Sequence, residues 1–470
     1  MTVIIGLEIH CQLNTNTKLF CGCSTDYRDD GPNTHVCPVC LGLPGSLPVL
    51  NRQAVVYALR VAKALHCEVP EFSEFARKNY FYPDLPKAFQ ITQYDKPLAL
   101  GGYIEIEAEA GGEKRINLTR IHMEEDPGRL VHKGSGDRGR YTLVDYNRSG
   151  VPLIEIVTEP ELSSPKEARR FLNKLRATLE YLGIYDSERE GSLRVDANIS
   201  IKGYERVEVK NITSYKGVEK ALTFEITRQK GMIRRNAQIV RETRHYQEAR
   251  GVTTSARSKE MEHDYRYFPE PDLAPLQVSS WVEEIELPEL PDTRRDRFMQ
   301  QYGISLNHAR TLTGDLRLAE FFEEVASGIP EVAAPWTADI LLGELNYRDM
   351  PISKVPVPHF NALLEEVKKG TITDTSAVEI LRLLLNQVME GSTPEMPGAV
   401  IARLGLSKEE GGAFREIVAS VLAENGPAVA DQRAGKAGAI NFLVGQVMKA
   451  TRGRADPKEI ARIIEDLLKE

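Results

Sequence analysis

The sequence predicts an α+β protein in which a large, mainly antiparallel sheet forms a cradle and is followed by an all-helical domain and a small helical tail. Three observations favour this class. Strand-like alternation recurs between residues 2 and 290, the segment 287–292 (LPELPD) is typical of a linker, and helical spacing dominates beyond it. At about 100 to 200 residues per domain the chain allows roughly two to four domains, which we place at 1–291, 292–406 and 407–470.

The first part of the chain mixes strands with helices. Strand-like patterns cover residues 3–13, 103–109, 116–123, 153–157, 193–201 and 206–210. Helical patterns cover residues 51–65, 165–182 and 214–236. The second of these helices has a clear start, because Ser163 and Ser164 are suitable caps and Pro165 suits a first helical turn.

The remainder of the chain is almost wholly helical in pattern. Helical spacing, with Gly or Pro at the joints, covers residues 292–302, 306–313, 316–327, 335–345, 359–369, 374–389, 408–425, 435–451 and 457–469. A proline-rich stretch at 350–358 and the region of Gly405 divide this part further.

Composition and charge exclude several classes of protein. The 60 Lys and Arg against 68 Asp and Glu leave a net charge of −8, which argues against a uniformly basic nucleic-acid coat. Residues 433–458 are nevertheless basic, with Asp456 as their one acid. No apolar run reaches the roughly 18 residues of a membrane helix, and the N-terminus lacks the basic region of a signal peptide. We therefore expect a cytoplasmic protein.

Four cysteines fall in one 20-residue stretch as Cys-x-Cys, thirteen residues and Cys-x-x-Cys. They are Cys21, Cys23, Cys37 and Cys40. Two close pairs separated by a loop allow four thiolates to converge on one zinc ion, and four cysteines leave no open position for catalysis. The spacing therefore predicts a structural zinc site. Disulfides are the alternative, which the lack of a secretion signal disfavours.

Acidic residues stand among apolar ones in several of the predicted strands. Period-two alternation puts Glu8 and His10 on the face opposite Val3, Ile5 and Leu7. The other members of this set are Glu124, Glu125, Glu155, Asp196 and Glu208, with Lys210 two residues after the last. Stacked in one sheet, such residues would line a concave face suited to Mg²⁺ and nucleotide phosphates. Taken singly, each acid is also compatible with a solvated sheet face.

Cations and aromatic residues alternate in residues 75–98 (FARKNYFYPDLPKAFQITQYDKPL). Lys78, Tyr80, Tyr82 and Lys87 belong to this run. Such interleaving suits stacking on a base and neutralisation of phosphate, although it is also found in packed loops. Beside an acidic metal site it favours a cradle for a nucleotide or an RNA end. The chain has no Walker A motif, so a P-loop ATPase is excluded.

Several motifs together resemble one family. They are GLEIHCQLNTNTKLFC, CPVCLGLPGSLPVLN, the run at 75–98, HMEEDPGR, VDYNRSGVPLIEIVTEP, RVDANISI, VEVKNITS and FLVGQVMKATRGRADP. In this order they resemble the B subunits of the aspartyl/glutamyl-tRNA amidotransferases, across nearly all of residues 1–270 and about 433–458. Residues 292–405 match in helical character alone.

The resemblance implies a fold, a reaction and partners. The catalytic domain would be similar to glutamine synthetase. ATP would phosphorylate the side-chain carboxylate of Glu-tRNA(Gln) or Asp-tRNA(Asn), and ammonia from glutamine would displace the phosphate. The partners would be the amidase, or A, member of the complex, which releases the ammonia, and its small C member. The sequence does not choose between the two tRNA substrates.

The resemblance also implies roles for individual residues. The Mg²⁺ and ATP site would be formed by Glu8, His10, Glu124, Glu125, Glu155, Asp196 and Glu208, with Lys210 and Asn211 beside them. The tail would bind tRNA phosphates through Arg433, Lys436, Lys449, Arg452 and Arg454, although a solvated helix face is the alternative there.

Two other functions remain open at this point. A zinc-stapled RNA-binding or assembly protein would carry the acids as structural residues only. A free-standing ATP-dependent ligase for a small amino acid would not need the helical tail. The first alternative is distinguished by whether the acids of different strands converge within metal-bridging distance.

Overall fold

The computed structural model describes residues 1–134, 141–186, 191–212, 214–256, 265–408, 414–434, 436, 438–451, 455 and 457–469. The chain divides into two compact units, Met1–Pro291 and Asp292–Glu470. The division falls inside the LPELPD segment, between Pro291 and Asp292. A further boundary at 406/407 stays a prediction.

The first unit contains strands and helices in mixed order. Its strands are β1 (Val3–Gln12), β2 (Ala76–Asn79), β3 (Phe89–Thr92), β4 (Ala99–Leu100), β5 (Tyr103–Glu107), β6 (Glu113–Glu125), β7 (Arg129–Lys133), β8 (Tyr141–Asp145), β9 (Pro152–Thr158), β10 (Leu193–Ile201), β11 (Val207–Ile212), β12 (Glu242–Gln247), β13 (Val252–Ser255) and β14 (Phe268–Pro269). Its helices are α1 (Arg52–Ala64), α2 (Pro165–Tyr181), α3 (Tyr215–Arg234) and the short α4 (Trp281–Glu284).

One large sheet dominates this unit. Among the described residues it has nine strands, in the order β13-β12-β11-β10-β1-β9-β6-β4, with β5 paired to β6. All of its pairings are antiparallel except that of β11 with β12. The predicted α+β class with a mainly antiparallel sheet is therefore confirmed. Strands β14, β2 and β3 form a smaller sheet, and β7 pairs with β8.

Helices cover the apolar face of the large sheet. Helix α1 contacts β6, α2 contacts β5, and α3 contacts β10. The apolar stripe of α2, which includes Phe171, Leu172 and Leu175, is fully buried in the same core as Ile5 and Leu7 of β1. Burying each such side chain stabilises the fold by roughly 1.5–3 kcal/mol. The helices thus leave the opposite, polar face of these strands to carry the charged residues.

A β-bulge in β6 changes which residues reach the polar face. In β6, Leu118 pairs with Thr158 and Arg120 pairs with Val157, so Thr119 is an extra residue. Ile116 and Leu118 are buried on the apolar side before this bulge, and Ile121 and Met123 are buried there after it. The bulge therefore turns Arg120, His122 and Glu124 together to the polar face. A second register shift occurs between β10 and β11.

The second unit is helical throughout its described part. Its helices are α5 (Pro291–Tyr302), α6 (Leu306–Thr313), α7 (Leu316–Val325), α8 (Pro330–Pro335), α9 (Leu342–Arg348), α10 (Val357–Lys369), α11 (Asp374–Met389), α12 (Pro397–Leu404), α13 (Arg415–Glu424), α14 (Gly426–Arg433), α15 (Ala439–Ala450) and α16 (Pro457–Lys469). Phe414, Val418, Leu443, Val447 and Ile460 belong to a separate hydrophobic core near the C-terminus. No helix in the described part of the chain has the length and apolar character needed to cross a membrane.

Two predicted helices differ from those observed. The helix predicted at 335–345 begins earlier, at Pro330, and a π-helical turn over Trp336–Leu341 separates α8 from α9. Pro335 lacks an N–H and disturbs the hydrogen-bond ladder at this point. The helix predicted at 435–451 begins later, at Ala439, because Gly438 has a left-handed φ of 90°.

The start of α2 is held by a buried carboxylate. Ser164 caps the helix by accepting a hydrogen bond from the Glu167 amide. The Glu167 carboxylate in turn accepts from Ser163 and lies 2.8 Å from the Lys114 ammonium of β6. Burial would raise the pKa of Glu167, but the contacts with Lys114 and Ser163 outweigh it and lower the pKa to about 2.

We predict that Glu167→Gln destabilises the first unit at pH 7 by roughly 1–3 kcal/mol, because the charge-assisted contacts are lost. The folded-state pKa is depressed, so this stabilisation is complete above about pH 4.5 and declines as the pH falls toward 2. Thermal melting should therefore show that the difference in unfolding free energy between wild type and variant at pH 3 is half or less of the difference at pH 7. Glu109→Gln, which removes an exposed carboxylate, should melt like wild type. An equal difference at both pH values would contradict this account.

Candidate active site

The large sheet brings acids from five strands onto its polar face. His10 in β1 lies opposite Glu155 in β9, which in turn lies opposite His122 in β6. Glu8 lies opposite Asp196 of β10. These cross-strand neighbours are held at the spacing of the sheet itself, so the site is built on rigid backbone.

Two groups on this face have the composition of metal sites. The histidine–carboxylate cluster consists of His10, Glu124 and Glu155, and the three-carboxylate cluster consists of Glu8, Asp196 and Glu208. Within each cluster, the ligand atoms lie within 4.8 Å of one another. The five predicted acids of different strands thus fall into two clusters, Glu124 and Glu155 in one and Glu8, Asp196 and Glu208 in the other.

In the histidine–carboxylate cluster, Glu155 lies between two imidazole rings. Its Oε2 is 3.2 Å from Nε2 of His10 and 3.3 Å from Nε2 of His122. Burial would raise the pKa of Glu155, but the charges of His122 and His10 outweigh it and hold the pKa well below its usual range. Burial likewise opposes protonation of His10, yet Glu155 and Glu124 raise its pKa to about 9. A metal ion bound here would replace this proton.

The three-carboxylate cluster contains a cation of its own. Nζ of Lys210 lies 2.7 Å from Asp196 and 3.5 Å from Glu208. Burial opposes the charged form of Lys210, but these two carboxylates outweigh it and raise its pKa. Asn198 donates to Glu8 at 2.8 Å. Burial, together with the nearby charges, raises the pKa of Glu8. With one lysine against three carboxylates, the cluster retains an excess of negative charge.

Glu125, predicted as a magnesium ligand, belongs to neither cluster. Adjacent residues of a strand point to opposite faces, so Glu125 points away from Glu124. Its carboxylate accepts from the Ile91 amide at 2.9 Å and from Lys87 at 2.7 Å. The predicted substrate-binding Lys87 is therefore committed to this ion pair. We leave Glu125 out of the candidate metal site.

Residues of the segment 75–98, in which cations and aromatic residues alternate, lie beside the histidine–carboxylate cluster. Nζ of Lys78 lies 5.8 Å from the ring centroid of Tyr80 and 4.8 Å from that of Tyr265. The rings of Tyr94 and Tyr267 stack with their centroids 4.0 Å apart. Burial opposes the charge of Lys78, but Glu124 and its neighbours outweigh it and raise the pKa. Lys78 thus lies near Glu124, with Tyr80 beside it, and the nucleotide-binding role of both residues stays a prediction.

Two other predicted residues lie outside this arrangement. Tyr82 is 44% exposed in the loop before β3. Asn211 is exposed at the bulge of β11, where its φ is 63°. Neither belongs to the clusters that the described residues form.

The structure adds residues that the sequence prediction omitted. His122 contacts Glu155, and its position two residues before Glu124 on the same strand was a usable signal. Arg194, opposite His10 in β10, donates to Asp126 at 2.8 Å. Tyr265 and Tyr267 come from a segment far along the chain, so no local pattern indicated them.

The four predicted zinc ligands form a third group. The sulfur atoms of Cys21, Cys23, Cys37 and Cys40 lie within 4.8 Å of one another, and each thiol is free. The Cys37 amide donates to Cys40 Sγ at 3.1 Å, and Nζ of the fully buried Lys18 lies 3.7 Å from the same sulfur. The contact with Cys21 is the largest cause that lowers the pKa of Cys40 to about 4. A thiolate is the form that binds metal.

The basic tail is described in part. Arg433, at the end of α14, and Lys449, near the end of α15, are exposed. Lys436 is exposed and lies 2.7 Å from Asp431. Arg452 and Arg454 lie outside the described residues.

Comparison with known proteins places this architecture in a family. A family model described as "GatB/GatE catalytic domain" matches residues 3–284, and one described as "GatB domain" matches residues 320–468. The chain is similar to proteins named as the B subunits of aspartyl/glutamyl-tRNA(Asn/Gln) amidotransferases. It is 67% identical to that of Methanoregula boonei and 65% identical to that of Methanospirillum hungatei, each over 100% of this chain and 98% of the relative. It is 53% identical to that of Methanococcoides burtonii over 99% of this chain and 98% of the relative. The chain therefore belongs to the family of aspartyl/glutamyl-tRNA(Asn/Gln) amidotransferase B subunits.

Proposed function

We propose that this chain is the component that activates the substrate carboxylate in a tRNA-dependent amidotransferase. It would use ATP to phosphorylate the side chain of Glu-tRNA(Gln), Asp-tRNA(Asn) or both, and would then form the amide with ammonia. The observation that carries this proposal is the convergence of Glu8, Glu124, Glu155, Asp196 and Glu208 into two clusters on one sheet face.

The proposed reaction needs activation because a carboxylate does not react with ammonia directly. In the first step a carboxylate oxygen bonds to the γ-phosphorus of ATP, and the bond from that phosphorus to the bridging oxygen breaks, so ADP leaves with the electron pair. In the second step ammonia attacks the acyl carbon, inorganic phosphate leaves, and the nitrogen loses a proton. Catalysis of such steps depends mainly on positioning and on electrostatic stabilisation.

The two clusters fit divalent cations by their chemistry and spacing. Mg²⁺ prefers carboxylate oxygens. In proteins it is usually bound by only a few carboxylates, together with phosphate oxygens of the substrate. The residues that would hold it are Glu124 and Glu155 with His10 in one cluster, and Glu8, Asp196 and Glu208 in the other. When bound, the ion neutralises charge that develops on the transferred phosphoryl group. The protein's own contribution is to orient the carboxylates and to place Lys78 and Tyr80 at the edge of the site.

Partners would supply the ammonia, and the second unit would bind tRNA. We propose that an amidase partner releases ammonia from glutamine, and that a small third protein joins the two. The exposed Arg433 and Lys449 would contact tRNA phosphates, with a binding constant that falls as salt rises. A solvated helix face remains the alternative for these residues.

Convergence of the acids favours this function over the two alternatives. A purely structural protein has no need of three carboxylates within 4.8 Å of one another, because their mutual repulsion destabilises the fold. A free-standing ligase for a small amino acid is disfavoured by the family match of residues 320–468, which covers the helical part of the chain.

We propose further that Cys21, Cys23, Cys37 and Cys40 bind one structural zinc ion. Four thiols within 4.8 Å of one another match the size of a tetrahedral zinc site. The buried Lys18 would offset part of the negative charge of four thiolates. The ion would hold together the loops beside the smaller sheet.

The function is tested by Glu124→Gln in the enzyme assembled with its other subunits. We expect amide formation from misacylated tRNA and Mg-ATP to fall by at least about 10²-fold with either glutamine or free ammonium as the nitrogen source, because a charged ligand of the activation site is lost. Glutamine hydrolysis should continue. Glu105→Gln, which removes an exposed carboxylate of β5, is the matched control and should retain activity. Normal amidation from ammonium by Glu124→Gln would refute the proposed site.

The zinc proposal is tested by metal analysis of the purified chain. We expect one zinc ion per chain in wild type and none in Cys40→Ser, with a lower melting temperature in the variant, because structural zinc sites stabilise the folded state directly. Cys67→Ser, which changes a cysteine outside the cluster, should keep its zinc. Retention of a full equivalent by Cys40→Ser would contradict the assignment.

A further inference from the structure

The polar face carries one arginine that neither the sequence motifs nor the clusters account for. We propose that Arg120 binds the phosphoryl group while it is transferred from ATP to the substrate carboxylate. This assignment rests on the function proposed above and adds a residue to it. Arg120 would be a catalytic residue, since it would touch the reacting group.

The position of Arg120 follows from the bulge at Thr119. That extra residue places Arg120 on the same face as His122 and Glu124, two and four residues further along β6. Without it, the alternation set by Ile116 and Leu118 would continue and would carry Arg120 to the apolar side. The bulge therefore has a chemical consequence, since it aligns an arginine with the histidine–carboxylate cluster.

Arg120 also faces the three-carboxylate cluster across β9. It lies opposite Val157, and Val157 lies opposite Glu8. Neighbouring strands are about 4.8 Å apart, so the backbones at Arg120 and Glu8 are separated by roughly 10 Å. The residue between them, Val157, has a short, uncharged side chain. A phosphate group located there would lie within reach of both clusters and of Arg120.

Two cations on the polar face are already paired with carboxylates, whereas Nε of Arg120 is not. Lys210 contacts Asp196, and Arg194 contacts Asp126. In the part of the chain that the structure describes, Nε of Arg120 is buried and has no hydrogen-bond partner. A buried, unpartnered donor of this kind is unfavourable unless a ligand satisfies it.

Guanidinium chemistry suits the proposed ligand. As the bond from the γ-phosphorus to the bridging oxygen of ATP breaks and the bond to the carboxylate oxygen forms, negative charge is spread over the remaining phosphoryl oxygens. An arginine stays charged at all physiological pH values and can donate two parallel hydrogen bonds to such a group. Lysine supplies the charge without this paired geometry.

The test compares Arg120→Ala and Arg120→Lys with wild type in the assembled enzyme, measuring ADP formation that depends on misacylated tRNA. We expect the rate with Arg120→Ala to fall by about 10²–10³-fold, while the KM for ATP changes by less than about tenfold. Arg120→Lys should show an intermediate rate. Added guanidinium ion should raise the rate of the Arg120→Ala variant at least about tenfold. Arg115→Ala, an exposed arginine of the same strand, is the matched control and should behave as wild type.

The outcomes separate the two proposals. If Arg120→Ala and Arg120→Lys turn over like wild type while Glu124→Gln is inactive, Arg120 does not bind the phosphoryl group and the proposed function stands. If the rate falls together with the melting temperature and guanidinium ion restores nothing, the role is structural and the assignment is overturned. If wild type forms no ADP in response to misacylated tRNA, the proposed function itself fails.

Discussion

Carboxylates crowd one face of the sheet, and the structure depends on the cations that offset their repulsion. Two carboxylates about 4 Å apart repel each other by roughly 4 kcal/mol at an effective dielectric constant of about 20. His10 and His122 flank Glu155, and Lys210 lies between Asp196 and Glu208. These contacts allow the strands to pair, yet they leave the face with excess negative charge. The same excess would attract a divalent cation and the phosphates that it accompanies.

The hydrophobic core determines where this charge can be. Helices α1, α2 and α3 bury the apolar side of the strands, so each charged side chain of the site must point to the polar side. The bulge at Thr119 shifts the side-chain alternation of β6 between Leu118 and Arg120, so that the charged residues after it point to the polar side. Because the site residues stand on paired strands and not on loops, the packing of the helices on one face fixes the distances between carboxylates on the other.

Part of this arrangement follows from local patterns in the sequence. The alternation in β1 predicts that Glu8 and His10 share a face, and the cysteine spacing predicts the four-thiol group. Other features depend on contacts between distant segments. The sequence groups Glu125 with Glu124 because the two are adjacent, whereas in the structure Glu125 forms an ion pair with Lys87 of the loop between β2 and β3. A bulge such as that at Thr119 leaves no clear signal in one sequence, so the sequence does not predict the alignment of Arg120 with His122. Tyr265 and Tyr267 reach the site only through the tertiary fold.

The central claim is that this face activates a carboxylate by phosphorylation, and an isotope experiment tests it most directly. Misacylated tRNA carrying ¹⁸O in both side-chain carboxylate oxygens would be amidated by the assembled enzyme with Mg-ATP and ammonium. The account predicts that each amide formed transfers one ¹⁸O atom to inorganic phosphate, because a carboxylate oxygen becomes the bridging atom of the acyl phosphate. Inorganic phosphate free of ¹⁸O, formed together with amide, would contradict it.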